Sequence, residues 1–286
     1  MEIFINNKQA DITLDTEKTL GDVLSGIEQW ISPAGNRIMK ISLDGENIAV
    51  ENLGPVFNRE INDIKRLDIS VSSFRELASE ALHELSGICI LYAAASFEER
   101  RKIADSWKDS PAAYFMADSL AEIYDLAAAS FCGHGLSAQD LEVLLKERLR
   151  EIVDPHQELA NSEVLVKTVA RRMEELPLDM QTGKDEIAAE TINLFSKMGE
   201  KLFRILFVLK SEGLSMENFF IDNVNIRVFL DDFNKTLVEI SGAYSDKDTV
   251  LVGDIAEYEL APKVLRLYEA LKNAKISVMG DLPSLN

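Results

Sequence analysis

Apolar and polar positions alternate over the first 72 residues, and from Ser73 onward the period changes to that of a helix. Ile3 and Ile5 alternate with polar neighbours, Asn6, Asn7 and Lys8 make a turn, and Ile12 and Leu14 alternate again. This predicts a hairpin of two short strands. Thr19 with Asp22 reads as the cap of a helix whose apolar face is Leu20, Val23, Leu24, Ile27 and Ile31, ended by Pro33 and Gly35. Met39, Ile41 and Leu43 lead into Asp44-Gly45, a two-residue hairpin signal, with Asn47 to Val50 returning. A loop with Gly54 and Pro55 follows, and then a closing strand from Ile64 to Val71.

The order hairpin, helix, strand, short strand, closing strand resembles the β-grasp or ubiquitin-like fold over residues 1–72. Sulfur carriers and protein modifiers of that fold finish on a free Gly-Gly, whereas here the strand runs into Val71-Ser72-Ser73 and two hundred more residues. Its iron–sulfur members need four cysteines, and this stretch has none. The resemblance therefore implies the use that is left, a sheet face or edge that docks another protein.

The remainder reads as helices with short connections, the pattern of an all-α bundle. Expected helices run from Phe74 to about Ala95, Phe97 to Lys108 with a Ser96/Glu99 capping box, Pro111 to Phe131, and Ser137 to about Val153. A further one starts at Pro155 or Ser162 and stops before Pro177, and the next spans about Lys184 to Ser211. The last two cover Ser215 to about Tyr244 and Thr249 to Asn273, with Pro262 expected to kink the final helix. The fold class is thus α+β, a small β-grasp-like domain at 1–72 and a larger all-α helical bundle at 73–286. Two domains also suit 286 residues.

Charge narrows the function classes. Thirty Lys and Arg against 49 Asp and Glu give −19, and residues 1–75 hold 8 basic and 12 acidic residues, so −15 lies on the helical part. Such a field repels phosphate backbones and anionic lipid, which excludes nucleic acid and membrane surfaces as first choices and favours a basic protein partner. Two cysteines, Cys89 and Cys132, make no disulfide framework. The acidic, alternating start is unlike a signal peptide, and the longest apolar runs are too short to cross a bilayer, so a cytoplasmic chain beginning at Met1 is expected.

Candidate chemistry is sparse. Glu80-Ala81-Leu82-His83 matches one half of a di-iron carboxylate motif, but the chain has three histidines and no second Glu-x-x-His. Cys132 and His134 offer two zinc ligands without two more nearby, and glycines on either side make a helix stop the simpler reading. Thr182-Gly183-Lys184 is the tail of a phosphate-binding loop without its leading glycine. No nucleophile elbow occurs. We assign no catalytic, cofactor or metal residue. Asp254, Glu257 and Glu259, set among Val252, Ile255, Tyr258 and Leu260, form the most unusual patch, the flank of a core helix and the candidate partner-binding surface. The leading expectation is a non-enzymatic scaffold or adaptor that binds a protein partner and can pair with a second copy through its long helices. The alternative is a metal-dependent enzyme or metal-binding protein whose site is assembled in the bundle from dispersed Glu, Asp and His.

Overall fold

The computed structural model describes residues 1–14, 16–32, 35–48 and 53–275. Pro33 as a helix stop and Val50 as the end of the returning strand lie outside them. The fold is α+β, with an N-terminal sheet followed by a larger helical part. Contacts divide the described residues into two compact units, Met1–Leu149 with Ser211–Gly213, and Arg150–Lys210 with Leu214 to Lys275.

The first unit opens with a mixed sheet of β1 (Glu2–Ile5), β2 (Lys8–Gln9), β3 (Asn36–Leu43), β4 (Glu46–Ile48) and β5 (Arg66–Ser73) in the order β2-β1-β5-β3-β4. β1 and β5 run parallel at its centre and the other pairs are antiparallel. Helix α1 (Leu20–Ile31) covers one face. Its expected Leu20, Val23, Leu24, Ile27 and Ile31 join Ile3, Ile5, Leu67 and Ile69 in one buried cluster, and Thr19 and Asp22 form the expected capping box. The Asn6 amide extends the central pairing, donating to the Val71 carbonyl at 2.9 Å and accepting from its N–H at 2.8 Å.

Three details of the sheet differ from the sequence reading. The second strand is only Lys8–Gln9, and Ile12 and Leu14 reach the core from irregular chain. β3 starts three residues early and carries a register shift between Ile38 and Lys40, which leaves Met39 half exposed where strict alternation would bury it. The Gly54-Pro55 stretch is a short helix, α2 (Leu53–Phe57), because proline's fixed φ suits a first helical turn.

Strand β5 passes directly into α3 (Phe74–Ala94), capped by Ser73 and Glu76, and α4 (Phe97–Lys108) follows with the Ser96/Glu99 box. The expected single helix over 111–131 is two, α5 (Pro111–Ser119) and α6 (Ala121–Phe131), broken at Leu120 with φ −137° and ψ 47°. No glycine or proline marks that break, and the alanine-rich sequence conceals it. Trp107 of α4 packs against Tyr124 and Phe131 of α6, and Cys89 of α3 and Met116 of α5 are buried as well. Helix α7 (Ala138–Val153) starts as expected, with Ser137 Oγ accepting from Asp140 N–H.

The second unit is built on α8 (Pro155–Gln181), α9 (Asp185–Ser211), α10 (Ile226–Ser245), α11 (Thr249–Ile255) and α12 (Ala261–Lys272). Its core gathers Leu159, Met173, Leu202, Phe233, Val252, Leu260 and Tyr268. α8 does not stop at Pro177 but runs four residues past it. The ring lies against Gly253 of α11, where an added Cβ would stand 2.9 Å from Pro177 Cβ, so the packing gained there offsets the missing backbone hydrogen bond. The expected helix from Ser215 is replaced up to Asn225 by a loop and a minute hairpin, β6 (Phe220–Ile221) and β7 (Val224–Asn225). Its turn residues Asp222 and Asn223 both have positive φ, the left-handed geometry that Asp and Asn tolerate. No described helix is long and apolar enough to cross a membrane.

Candidate functional site

The acidic patch sits where the final helix changes pitch. Asp248 caps α11, accepting from Leu251 N–H at 3.0 Å. Pro262 brings no N–H, and its ring would press on the Tyr258 carbonyl four residues back. The chain answers with a π-helical turn, Ala256–Leu260, in which Ala261 N–H reaches Ala256 O five residues away. A widened turn therefore stands just before Pro262, where a kink is expected from the sequence. Val252, Ile255, Ala256, Leu260 and Val264 stay buried on either side of it.

On the outer face the turn presents Tyr258, 69% exposed, with exposed Asp254 and half-buried Glu257 beside it. The Glu257 carboxylate accepts the phenol's hydrogen bond and, with Asp254 adding to the field, holds Tyr258 above its ordinary pKa. Among the described residues neither Asp254 nor Glu257 forms an ion pair. Val250 and Leu251, 67% and 38% exposed, extend the patch by one helical turn. The result is an aromatic and aliphatic strip edged by two uncompensated carboxylates, a surface suited to a partner that brings both apolar contact and cations.

Glu259 turns elsewhere. Its carboxylate takes hydrogen bonds from Lys263 Nζ at 3.0 Å and Thr236 Oγ1 at 3.2 Å. Lys263 also bridges to Asp232 at 2.8 Å, and that contact holds Asp232 below the usual carboxylate range. So the structure brings Asp254 and Glu257 together around Tyr258 and places Glu259 in a clamp between α10 and α12.

The other sequence candidates resolve as local structure. His83 is exposed with Nδ1 2.8 Å from the Ser79 carbonyl, one turn back on its own helix. Cys132-Gly133-His134-Gly135 ends α6, with Gly133 and Gly135 at φ 78° and 106° and His134 N–H donating to Ala129 O. Gly183 ends α8 in the same way at φ 72°, and Lys184 pairs with Asp179 at 3.0 Å. Among the described residues no three His, Cys, Asp or Glu side chains gather as a metal-binding group. Burial, then the Glu142 charge, pushes the Cys89 thiol up to about 11, far from a reactive thiolate.

Two features escaped the sequence reading. A groove of about 470 Å³ lies between the β6–β7 hairpin and α12, walled by Phe219, Phe220, Ile221 and Leu265 and bridged by an Arg266–Asp222 pair at 3.4 Å. The adjacent Asp222-Asn223 was its one available signal, as a turn. Buried carboxylates also tie three helices, with Glu151 of α7 held bidentately by Arg204 of α9 at 2.9 and 3.0 Å, and Glu158 of α8 paired to Lys201 of α9. Contacts between residues 43 and 53 apart cannot be read from local spacing.

Residues 1–73 match a family model described as the TP0873 N-terminal domain, ending on the last residue of β5. Residues 157–270 match a second, described as a domain of unknown function, DUF8042, which takes in the groove's walls, the π-helical turn and most of α12. No curated protein and no solved structure matches the chain.

Proposed function

We propose that this chain is a non-enzymatic adaptor of the cytoplasm whose acidic, Tyr258-centred face docks a basic protein. The observation that carries the reading is Tyr258 itself, a large amphipathic ring 69% exposed on a structured helical turn between two carboxylates that form no ion pair among the described residues. Exposed aromatics are anchors in protein interfaces, and the neighbouring charges select a cationic partner and speed its approach. The net charge of −19 supports the same choice and weighs against nucleic acid. We further read residues 1–73 as a ubiquitin-like β-grasp module, supported by the strand order β2-β1-β5-β3-β4, the parallel central pair and the helix inserted between β2 and β3. Modules of that shape offer sheet faces and edges to other proteins, so the chain would have a second contact surface.

The test places the photo-crosslinking residue p-benzoylphenylalanine at Tyr258 of the full chain, expressed in its native cell. One discrete adduct with a basic protein is expected, and Asp254→Lys with Glu257→Lys should abolish it while circular dichroism stays unchanged. No adduct, or an adduct indifferent to charge reversal, would remove the proposal.

A further inference from the structure

The groove between the β6–β7 hairpin and α12 asks for an occupant that is apolar and nearly uncharged. Its volume of about 470 Å³ is that of a ligand pocket, and Phe219, Phe220, Ile221 and Leu265 supply aromatic and aliphatic walls. The two charges that bridge it, Arg266 and Asp222, are paired with each other. Asn273, just past the end of α12, lines the same groove. Its N–H and its side-chain amide both donate to the Glu269 carbonyl, at 3.1 and 2.8 Å. Ala274 N–H donates to Leu271 O at 3.1 Å, and Ala274 packs on the core. The chain therefore leaves α12 held against the molecule, beside the groove.

The described residues end at Lys275, and the sequence goes on through 276–286 with Ile276, Val278, Met279, Leu282 and Leu285 against one charge, Asp281. A segment left in water is typically rich in charge and poor in aliphatic residues, and this one is the reverse. We infer that residues 276–280 bind back into the groove, with Ile276, Val278 and Met279 against Phe220, Ile221 and Leu265. The reach suffices. Met279 stands six residues beyond Asn273, up to about 20 Å of extended chain, and the α12 wall from Leu265 to Asn273 is about 12 Å long. The tether also favours this segment over any apolar peptide from solution. A short link gives an effective concentration of about millimolar, so contacts too weak to hold a free peptide still fill the groove. The contact is independent of the Tyr258 face, so either can fail without the other.

A single thiol reports whether the groove is covered. Ala270→Cys stands on its wall in the full chain with Cys132→Ser, while Cys89 is buried and its thiol is pushed up to about 11, so it reacts slowly. Iodoacetamide labelling of Ala270→Cys should be slow. Val278→Ser with Met279→Ser should speed it at least about tenfold with circular dichroism unchanged, because the segment loses most of its apolar anchor. Val278→Ile with Met279→Leu should keep it slow, and so should Ser284→Asp, outside the docked residues. A labelling rate indifferent to the two serines would overturn the proposal. A rate that falls as the protein is concentrated would overturn it too, since a second copy's segment would then be the occupant.

Discussion

Glu163 holds two helices by one carboxylate. It accepts from Lys167 one turn along α8 at 2.6 Å and from Lys272 at the end of α12 at 2.7 Å. Those two hydrogen-bonded ammonium groups bring its pKa down from 4.5 to about 2. A carboxylate whose folded value is depressed contributes stability that is complete above its unfolded value and is lost as pH falls through the folded one. The contribution of Glu163 is therefore present at neutral pH and disappears between about pH 4.5 and about pH 2. Glu163→Gln should lower the thermal midpoint at neutral pH, and the gap from the unaltered protein should close across that window as acid neutralises the natural carboxylate. A gap constant with pH would show that the two lysines do not depend on the charge. Only the contact with Lys167 is announced by i,i+4 spacing; Lys272 is 109 residues away and could not be read from the sequence.

Elements were legible where local chemistry decides them. The caps at Thr19, Ser73 and Ser96 each combine a hydroxyl with an acid three residues on, and all three start helices where expected. Elements decided by contact with something distant were misread, and Pro177 is the clearest instance. Proline inside a helical pattern ends a helix unless a neighbour makes its ring worth burying, and that neighbour, Gly253, is far along the chain. The glycine is there for closeness and not for flexibility. An interior helical glycine usually costs about 0.5–1 kcal/mol relative to alanine, so the change to alanine should stabilise. At Gly253 the new Cβ would meet Pro177 Cβ at 2.9 Å and Cγ at 3.0 Å. Gly253→Ala should therefore destabilise by about 1–3 kcal/mol through overpacking. Gly199→Ala on α9, with nothing within 4 Å of its added Cβ, should stabilise instead. Denaturant midpoints of the two variants that move in the same direction would contradict the close approach of α8 and α11.

At the scale of the whole molecule, the sequence disclosed the charge and the change of period but not which carboxylates are left uncompensated. Asp254, Glu257 and Glu259 look alike along the chain. The widened turn before Pro262 separates them, sending Glu259 to Lys263 and Thr236 and leaving Asp254 and Glu257 at Tyr258. Local spacing could not show this, because the direction of each side chain depends on the pitch of the turn that carries it. Under the proposed function, a chain of −19 would attract a basic partner from a distance, whereas the exposed ring and its two flanking carboxylates would act only on contact. Long-range attraction is screened over about 8 Å at physiological salt, while contact at an apolar anchor is not. Raising salt from about 50 to about 300 mM should therefore slow association with the partner captured at Tyr258 by about tenfold or more, and change dissociation little. Asp254→Asn with Glu257→Gln should flatten that salt slope only partly, because most of the field comes from the other acids. Tyr258→Ala should speed dissociation and leave the slope as it was. Stopped-flow association and dissociation rates across the salt series separate the two contributions, and an association rate indifferent to salt would sink the view that net charge recruits the partner.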